Sequence, residues 1–191
     1  PCLRCTPVHR FVGKSLTNQV LGYLHSKGGE PDPPMLLHRL DQTTSGIVLC
    51  AKTKAAAKAC AEQWHEDDCK KEYLAIALAD ENCTLDQTVG AATVVDAPIG
   101  PDPLSDDPVR RAVNYIEGQS AATRFEVLAT GIDGALLLAC RLERSGRTHQ
   151  IRVHAQQIGA PLLGDEMYGG PRVSSHDAAA KRVALHAWRL R

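Results

Sequence analysis

The sequence predicts an α+β fold: a central mixed sheet, mostly antiparallel, with helices packed on it. Three observations point that way. At 191 residues, 43% of them apolar and 23% charged, the chain has the make-up of one ordinary globular domain that can bury a sizeable core. Its strand-like and helix-like stretches follow an order that suits a mixed sheet and not a doubly wound parallel one. Residues 122–128 and 135–141 also read as two strands joined by the turn Thr130-Gly131-Ile132-Asp133-Gly134, the pattern of an antiparallel hairpin.

From the N-terminus, Ser15 is placed to cap a helix over 16–27, with Leu16, Val20, Leu21 and Leu24 at helical spacing and Gly28-Gly29 ending it. Pro31-Asp32-Pro33-Pro34 reads as a linker. Residues 47–51 follow as a buried strand. Thr53 is the expected cap of a helix over 54–67, whose alanines favour helix strongly. Residues 71–79 alternate as a second strand, with Tyr73 near its start, and residues 80–120 are expected to be loop-rich. After the hairpin, residues 148–158 read as a helix closed by Gly159, with Pro161 just beyond. Its Ile151, Ala155 and Ile158 share one face, and Arg152 lies one position round from Ile151. Residues 183–190 give a final strand. No internal repeat has a solenoid period.

Composition narrows the classes of function. No apolar run approaches a bilayer span, so no membrane association through a helix is expected. No basic-then-apolar leader opens the chain. Because the chain starts at Pro1, its N-terminal edge is expected to be trimmed, and a missing leader says little about location. Seven cysteines at irregular spacing argue against a disulfide framework and for an intracellular reducing compartment. The cytoplasm is the expectation, with mitochondrion and nucleus left open. Cys2 and Cys5 are the only pair at metal spacing, without a second pair at zinc-finger distance, so no metal is expected. Cys60 and Cys69 are expected to pack or to lie at the surface. Net charge is zero, but residues 1–140 hold 13 Lys+Arg against 18 Asp+Glu while residues 141–191 hold 9 against 4. That asymmetry predicts one basic face built by the last quarter of the chain.

Chemistry concentrates in two stretches. In residues 36–52, LLHRLDQTTSGIVLCAK, a polar knot of His38, Arg39, Asp41, Gln42, Thr43, Thr44 and Ser45 runs through Gly46 into an apolar segment. Such a knot before a strand is the form of a catalytic loop on a rigid scaffold. Hydroxyl donors and a nearby guanidinium favour the ionised form of Asp41, which could then act as nucleophile or base. The plainer alternative is a turn whose Asp and Thr side chains only bond the backbone. The second stretch, residues 141–165, carries Arg144, Arg147, His149, Arg152 and His154 within eleven positions.

Together these stretches resemble the RluA-like family of RNA pseudouridine synthases. The chain reads HRLDQTTSG at 38–46, GRTHQIRVH at 146–154 and GAPLLGDEMYG at 159–169, three motifs in the family's order. Ala97-Pro98-Ile99-Gly100 resembles a like-placed family motif, and the resemblance extends from about Val8 to Arg191 with a weaker middle. It implies a central antiparallel sheet crossed by an active-site cleft, and a catalytic domain is expected over 1–191, as a monomer. In one respect the chain departs from the family: many relatives carry a small N-terminal RNA-binding domain, and no separate one is expected here before Pro7. The implied activity is isomerisation of uridine to pseudouridine in tRNA or ribosomal RNA, without a metal or organic cofactor.

The resemblance also implies roles for residues. Asp41 takes the place of the family's essential aspartate, either attacking C1′ or removing a proton at C2′. Arg39 resembles the residue that fills the space left by the flipped uridine; a phosphate contact is its alternative. Tyr73 resembles the tyrosine that stacks on uracil, and Arg152 the arginine paired with the catalytic carboxylate. Leu185 resembles the apolar wall of the uracil pocket, with core packing as the alternative. Arg147 and His149 are expected to position phosphates or brace the loop, and Thr44 to contact substrate. His149 and His154, five apart, have the wrong interval for two ligands on one helical face. Three rivals differ in class. One is a catalytically silent RNA-binding domain, one a hydrolase using Asp41 beside a second acid, and one a cysteine-based enzyme, for which no cysteine sits in a recognisable nucleophile motif.

Overall fold

The alternation at 71–79 becomes strand β4 (Lys71–Leu78), in which Tyr73, Ala75 and Ala77 are buried on one face. In the computed structural model, which describes residues 3–7, 14–28, 33–63, 70–171 and 182–191, β4 lies inside a six-stranded sheet. Before it come α1 (Leu16–Ser26), β1 (Met35–Leu36), β2 (Ser45–Gly46), β3 (Cys50–Ala51) and α2 (Lys54–Gln63). After it come β5 (Ala92–Asp96), β6 (Ile99–Pro101), β7 (Arg111–Val113), β8 (Ala122–Thr130), β9 (Ala135–Arg144), α3 (Gln150–Gln157) and β10 (Leu185–Leu190). The large sheet runs β2-β10-β4-β9-β8-β5. Only β2 and β10 pair in parallel, so the fold is α+β with a mixed, mostly antiparallel sheet. The expected hairpin is β8–β9, closed by a short 3-10 turn over Ile132–Gly134.

The core lies between this sheet and α3. Ala75, Phe125, Val127, Leu136 and Leu138 from the strands form one buried cluster with Ile151, Ala155 and Ile158. Each large apolar side chain so buried is worth roughly 1.5–3 kcal/mol. The predicted helical face is therefore the one that packs. Its opposite side is not solvated either, because Gln150, Arg152 and His154 are also buried. Nδ1 of His154 meets the Thr123 hydroxyl at 2.8 Å and its Nε2 meets the Ala97 carbonyl at 3.0 Å. Burial lowers the pKa of His154, so it sits there as a neutral structural pin.

Several expectations need correction. Residues 47–51 do not form a buried strand: Ile47 and Leu49 are 47% and 38% exposed. Only Ser45–Gly46 joins β10, after which Cys50–Ala51 pairs with β1 in a separate ribbon. The 80–120 region is less irregular than expected, since β5 edges the main sheet and β6 and β7 form a ribbon of their own. Helix α3 starts at Gln150, because His149 takes a left-handed φ of 59°. The expected continuation of α2 beyond Gln63, and Cys2, Cys69, Gly29 and Pro31-Asp32, fall outside the described residues. Several arginines of the last quarter of the chain have carboxylate partners. Arg141 pairs with Glu143, Arg144 with Asp96, Arg152 with Asp165, and Arg189 and Arg191 both approach Glu72.

Candidate active site

The loop carrying Asp41 is fastened at both ends. On one side Cys5 brackets Leu40, its sulfur lying 3.3 Å from the Leu40 amide and 3.4 Å from the Leu40 carbonyl. The Thr44 amide closes a turn onto the Asp41 carbonyl at 3.0 Å. On the other side Ser45 and Gly46 lie alongside β10, with the Ser45 hydroxyl 2.8 Å from His186 Nδ1. Gly46 has a φ of +123°, and a Cβ there would stand 2.1 Å from the Ala187 carbonyl oxygen. Only glycine fits so close an approach. Nε2 of His38 accepts the Leu49 amide at 3.0 Å, tying the loop's entry to its exit.

Helix α3 supplies the opposing wall. The buried Gln150 amide donates to the Ala122 and Arg144 carbonyls and to the Thr123 hydroxyl, and accepts from Ser145 and the Arg147 amide. This fixes the loop into the helix. The Arg152 guanidinium reaches Asp165 twice, at 2.6 Å from Nε and 2.7 Å from Nη2. Its remaining nitrogen stands 3.9 Å from Asp41. The face of Tyr168 lies 4.9 Å below the same guanidinium. Tyr168 accepts the Arg111 amide at 3.0 Å and its hydroxyl lies 2.8 Å from His149 Nδ1.

Between the two walls lies a cavity of about 330 Å³ whose lining includes Asp41, Arg39, Thr44, Tyr73, Arg147, His149, Arg152 and Leu185. The eight residues given a catalytic or substrate-contacting role from sequence thus border one cavity, within the size range of a small-molecule site, whereas Arg144 and His154 from the same stretches do not line it. Tyr73 and Leu185 come from adjacent strands β4 and β10, where Leu185 faces Ala75 and Ala187 faces Tyr73. Arg39 is exposed at the lip. Thr44 lines the wall, but its hydroxyl, like that of Thr43, is buried without a hydrogen-bond partner among the described residues.

Electrostatics depart from expectation in one respect. Asp41 is not held below the ordinary carboxylate range: burial raises its pKa, and the charges of Arg152 and Arg39 and the His149 backbone N–H only partly offset this, with Asp165 adding to the rise. The Asp41 side chain is 20% exposed, enough to reach a ligand in the cavity. Burial opposes the charge of Arg152, yet its bonds to Asp165 outweigh that and raise its pKa. His149 is pushed down to about 3 by burial and by the Arg152 and Arg111 charges. It is a neutral imidazole that braces Tyr168, and its left-handed backbone aims the N–H at Asp41. Among the described residues no group of three or more His, Cys, Asp or Glu is placed to hold a metal ion.

Sequence reasoning missed Asp165 and Tyr168. Both lie in the GAPLLGDEMYG stretch already singled out, but nothing there marks one carboxylate as the partner of an arginine on another element. Gly170 is the physical signal: its Cβ would stand 1.9 Å from the Leu162 carbonyl. Its amide instead caps the Asp165 carbonyl at 2.8 Å, so the turn that presents Asp165 requires glycine.

Known proteins share both the sequence pattern and the fold. The pattern of the family described as RNA pseudouridylate synthase matches residues 5–157. The chain is 42% identical over 159 residues to "Ribosomal large subunit pseudouridine synthase D" of Nitrosomonas europaea, covering 81% of this chain and 42% of that protein. It is 35% identical over 153 residues to "Dual-specificity RNA pseudouridine synthase RluA" of Escherichia coli, covering 79% of this chain and 63% of that one. The chain spans about half the length of several of its curated relatives. Among solved structures, "Human RNA Pseudouridylate Synthase Domain Containing 4" superposes with a TM-score of 0.68 at 26% identity, over 98% of this chain and 77% of that chain. The family pattern covers most of the chain and relatives more than 30% identical are named pseudouridine synthases, so the chain belongs to the RNA pseudouridylate synthase family.

Proposed function

We propose that this chain isomerises uridine to pseudouridine within structured RNA, in ribosomal RNA or tRNA, with Asp41 as the catalytic carboxylate. The observation that carries this reading is the meeting of Asp41 and Arg152, from segments far apart in sequence, in a cavity walled by Tyr73 and Leu185. The bond from ribose C1′ to uracil N1 breaks, the base turns, and a bond from C1′ to C5 forms. C5 releases its proton to solvent and N1 gains one, so no electrons are exchanged. Attack at C1′ and proton removal at C2′ both require ionised Asp41, which the Arg152 and Arg39 charges and the His149 N–H support.

A uridine stacked in folded RNA must first be turned out, at a cost of a few kcal/mol. Arg39, exposed at the lip, is placed to fill the vacated space. Tyr73 offers a ring for the uracil to stack against, and Leu185 closes the pocket. The hydrolase alternative needs a second acid facing the ligand. Asp165, the nearest candidate in the network, is buried and committed to Arg152 by both oxygens. Asp41→Asn should retain RNA while losing tritium release from C5-labelled uridine. Wild-type release from the variant would refute the role of Asp41, and an inactive wild type on every RNA offered would favour the silent RNA-binding domain.

A further inference from the structure

A second cavity, of about 380 Å³, lies against the first and shares Gly146, Arg147 and Thr148 with it. Its floor is apolar, from Ile99 and Pro101 of β6, and its far side carries Glu117 and Gln119. This far side is built to be stiff. The Asn114 carboxamide accepts the Ile116 and Glu117 amides, both at 2.9 Å, and donates to the Pro101 carbonyl at 3.1 Å. Gly118 packs backbone to backbone, since a Cβ there would stand 2.0 Å from the Asn114 carbonyl. Glu117 is thereby set on a fixed turn docked against β6. At the tip of that turn Tyr115 and Ile116 are 79% and 95% exposed, an aromatic and an aliphatic side chain that pack against little of the protein.

We propose that this cavity is a binding subsite for the base of the nucleotide next to the target uridine, and that it selects guanine. The inference rests on the reading that the first cavity takes a uridine of an RNA strand. Cavities that share a wall are neighbours on the scale of consecutive nucleotides. Arg147 borders both cavities, with its Nε held by the Ser120 carbonyl at 3.4 Å, and so stands where the intervening phosphate would pass. Arg111 also lines the second cavity, with its Nη1 given to the Pro108 and Arg110 carbonyls, and the Glu117 carboxylate is the charged group there that favours a partner donating hydrogen bonds. A carboxylate accepts only, through two oxygens side by side. Guanine is the base whose Watson–Crick edge presents two adjacent donors, N1–H and the N2 amine, and single-stranded RNA is read on that edge. Gln119 can donate to O6. The apolar floor of Ile99 and Pro101 suits the flat face of an unstacked base.

The test uses hairpin RNAs with one loop uridine and both of its neighbours randomised. RNA retained by the protein is sequenced, and pseudouridine is mapped in the same pool. Wild type should prefer guanine over each other base at one neighbouring position by roughly five- to tenfold, the range of a good two-point base contact. Glu117→Ala, a change on an exposed turn, should return that position to near-random use while RNAs with other bases at that position are retained as before. Equal guanine preference in both proteins, or none in the wild type, would overturn the subsite. Guanine enrichment without any pseudouridine would instead sink the isomerase reading and leave the subsite standing.

Discussion

Asp165 holds the Arg152 guanidinium at two points, 2.6 and 2.7 Å, and leaves only the third nitrogen, 3.9 Å away, for Asp41. The arginine expected to pair with the catalytic carboxylate is thus shared, and the larger share goes elsewhere. An Asp41 clamped by both arms of a guanidinium would have its oxygens occupied. At 3.9 Å it feels the charge while keeping them available.

Replacing Asp165 by Asn removes a negative charge that raises the Asp41 pKa and leaves Arg152 to Asp41 alone. The acid limb of the rate–pH profile should then move to lower pH, as read by tritium release between about pH 4 and 8. An unmoved limb, or one moved upward, would break the link. The variant should also lose about 3–5 kcal/mol of stability, because one member of a buried ion pair is left without its counter-charge.

Asp41→Asn makes the opposite demand on stability. The folded-state pKa of Asp41 lies above the ordinary aspartate value because of burial. The neutral form is the one the fold favours, and that contribution is present in acid and lost as pH rises through the folded pKa. At pH 7 the ionised carboxylate is therefore a cost to the fold. The Asn variant should unfold in urea at a midpoint no lower than wild type at pH 7, with the difference closing as the pH falls. A clearly less stable variant at pH 7 would contradict this.

Much of this site is legible in the chain because its residues lie in short contiguous motifs. Asp41, Arg152 and the strand positions of Tyr73 and Leu185 follow from local patterning and family likeness, and all reach one cavity. What is not legible depends on contacts across the fold. The apolar residues 47–51 read as a core strand, yet the close approach of Gly46 to Ala187 turns the chain away after two residues of pairing. The burial of the polar residues of α3 is not legible either, because Thr123, Ala97 and Asp165 supply the partners that let Gln150, Arg152 and His154 be buried. No periodicity in 148–158 announces partners that arrive from other elements.

Those buried imidazoles make the fold sensitive to mild acid. His149, pushed down to about 3, and His38 and His154, also lowered chiefly by burial, are neutral when folded. A depressed folded pKa gives stability that is full above the unfolded value near 6.5 and is lost as pH falls from there toward the folded pKa. For His149 each pH unit below 6.5 should cost about 1.4 kcal/mol. The urea midpoint should begin to drop near pH 6.5, before ordinary carboxylates titrate. His149→Gln should flatten part of that decline, and an unchanged slope would show that His149 is not held neutral by the fold.

The clamp between the Asp41 loop and β10 can be tested at a single atom. In Gly46→Ala the added Cβ would lie 2.1 Å from the Ala187 carbonyl oxygen, at a φ of +123°. The strands must part, which breaks the Ser45–His186 contact and shifts Asp41 relative to Leu185 on the same strand β10. A misplacement of about 1 Å at a reacting centre can cost 10²-fold in rate, and a loss of that order is expected here. Gly90→Ala is the control, because Gly90 also has a positive φ, +88°, but an added methyl there would meet nothing within 4 Å. It should lose about 1–2 kcal/mol of stability to backbone strain and keep its turnover. Equal turnover in the two variants would mean that the glycine serves only the backbone and that the β2–β10 clamp does not position Asp41.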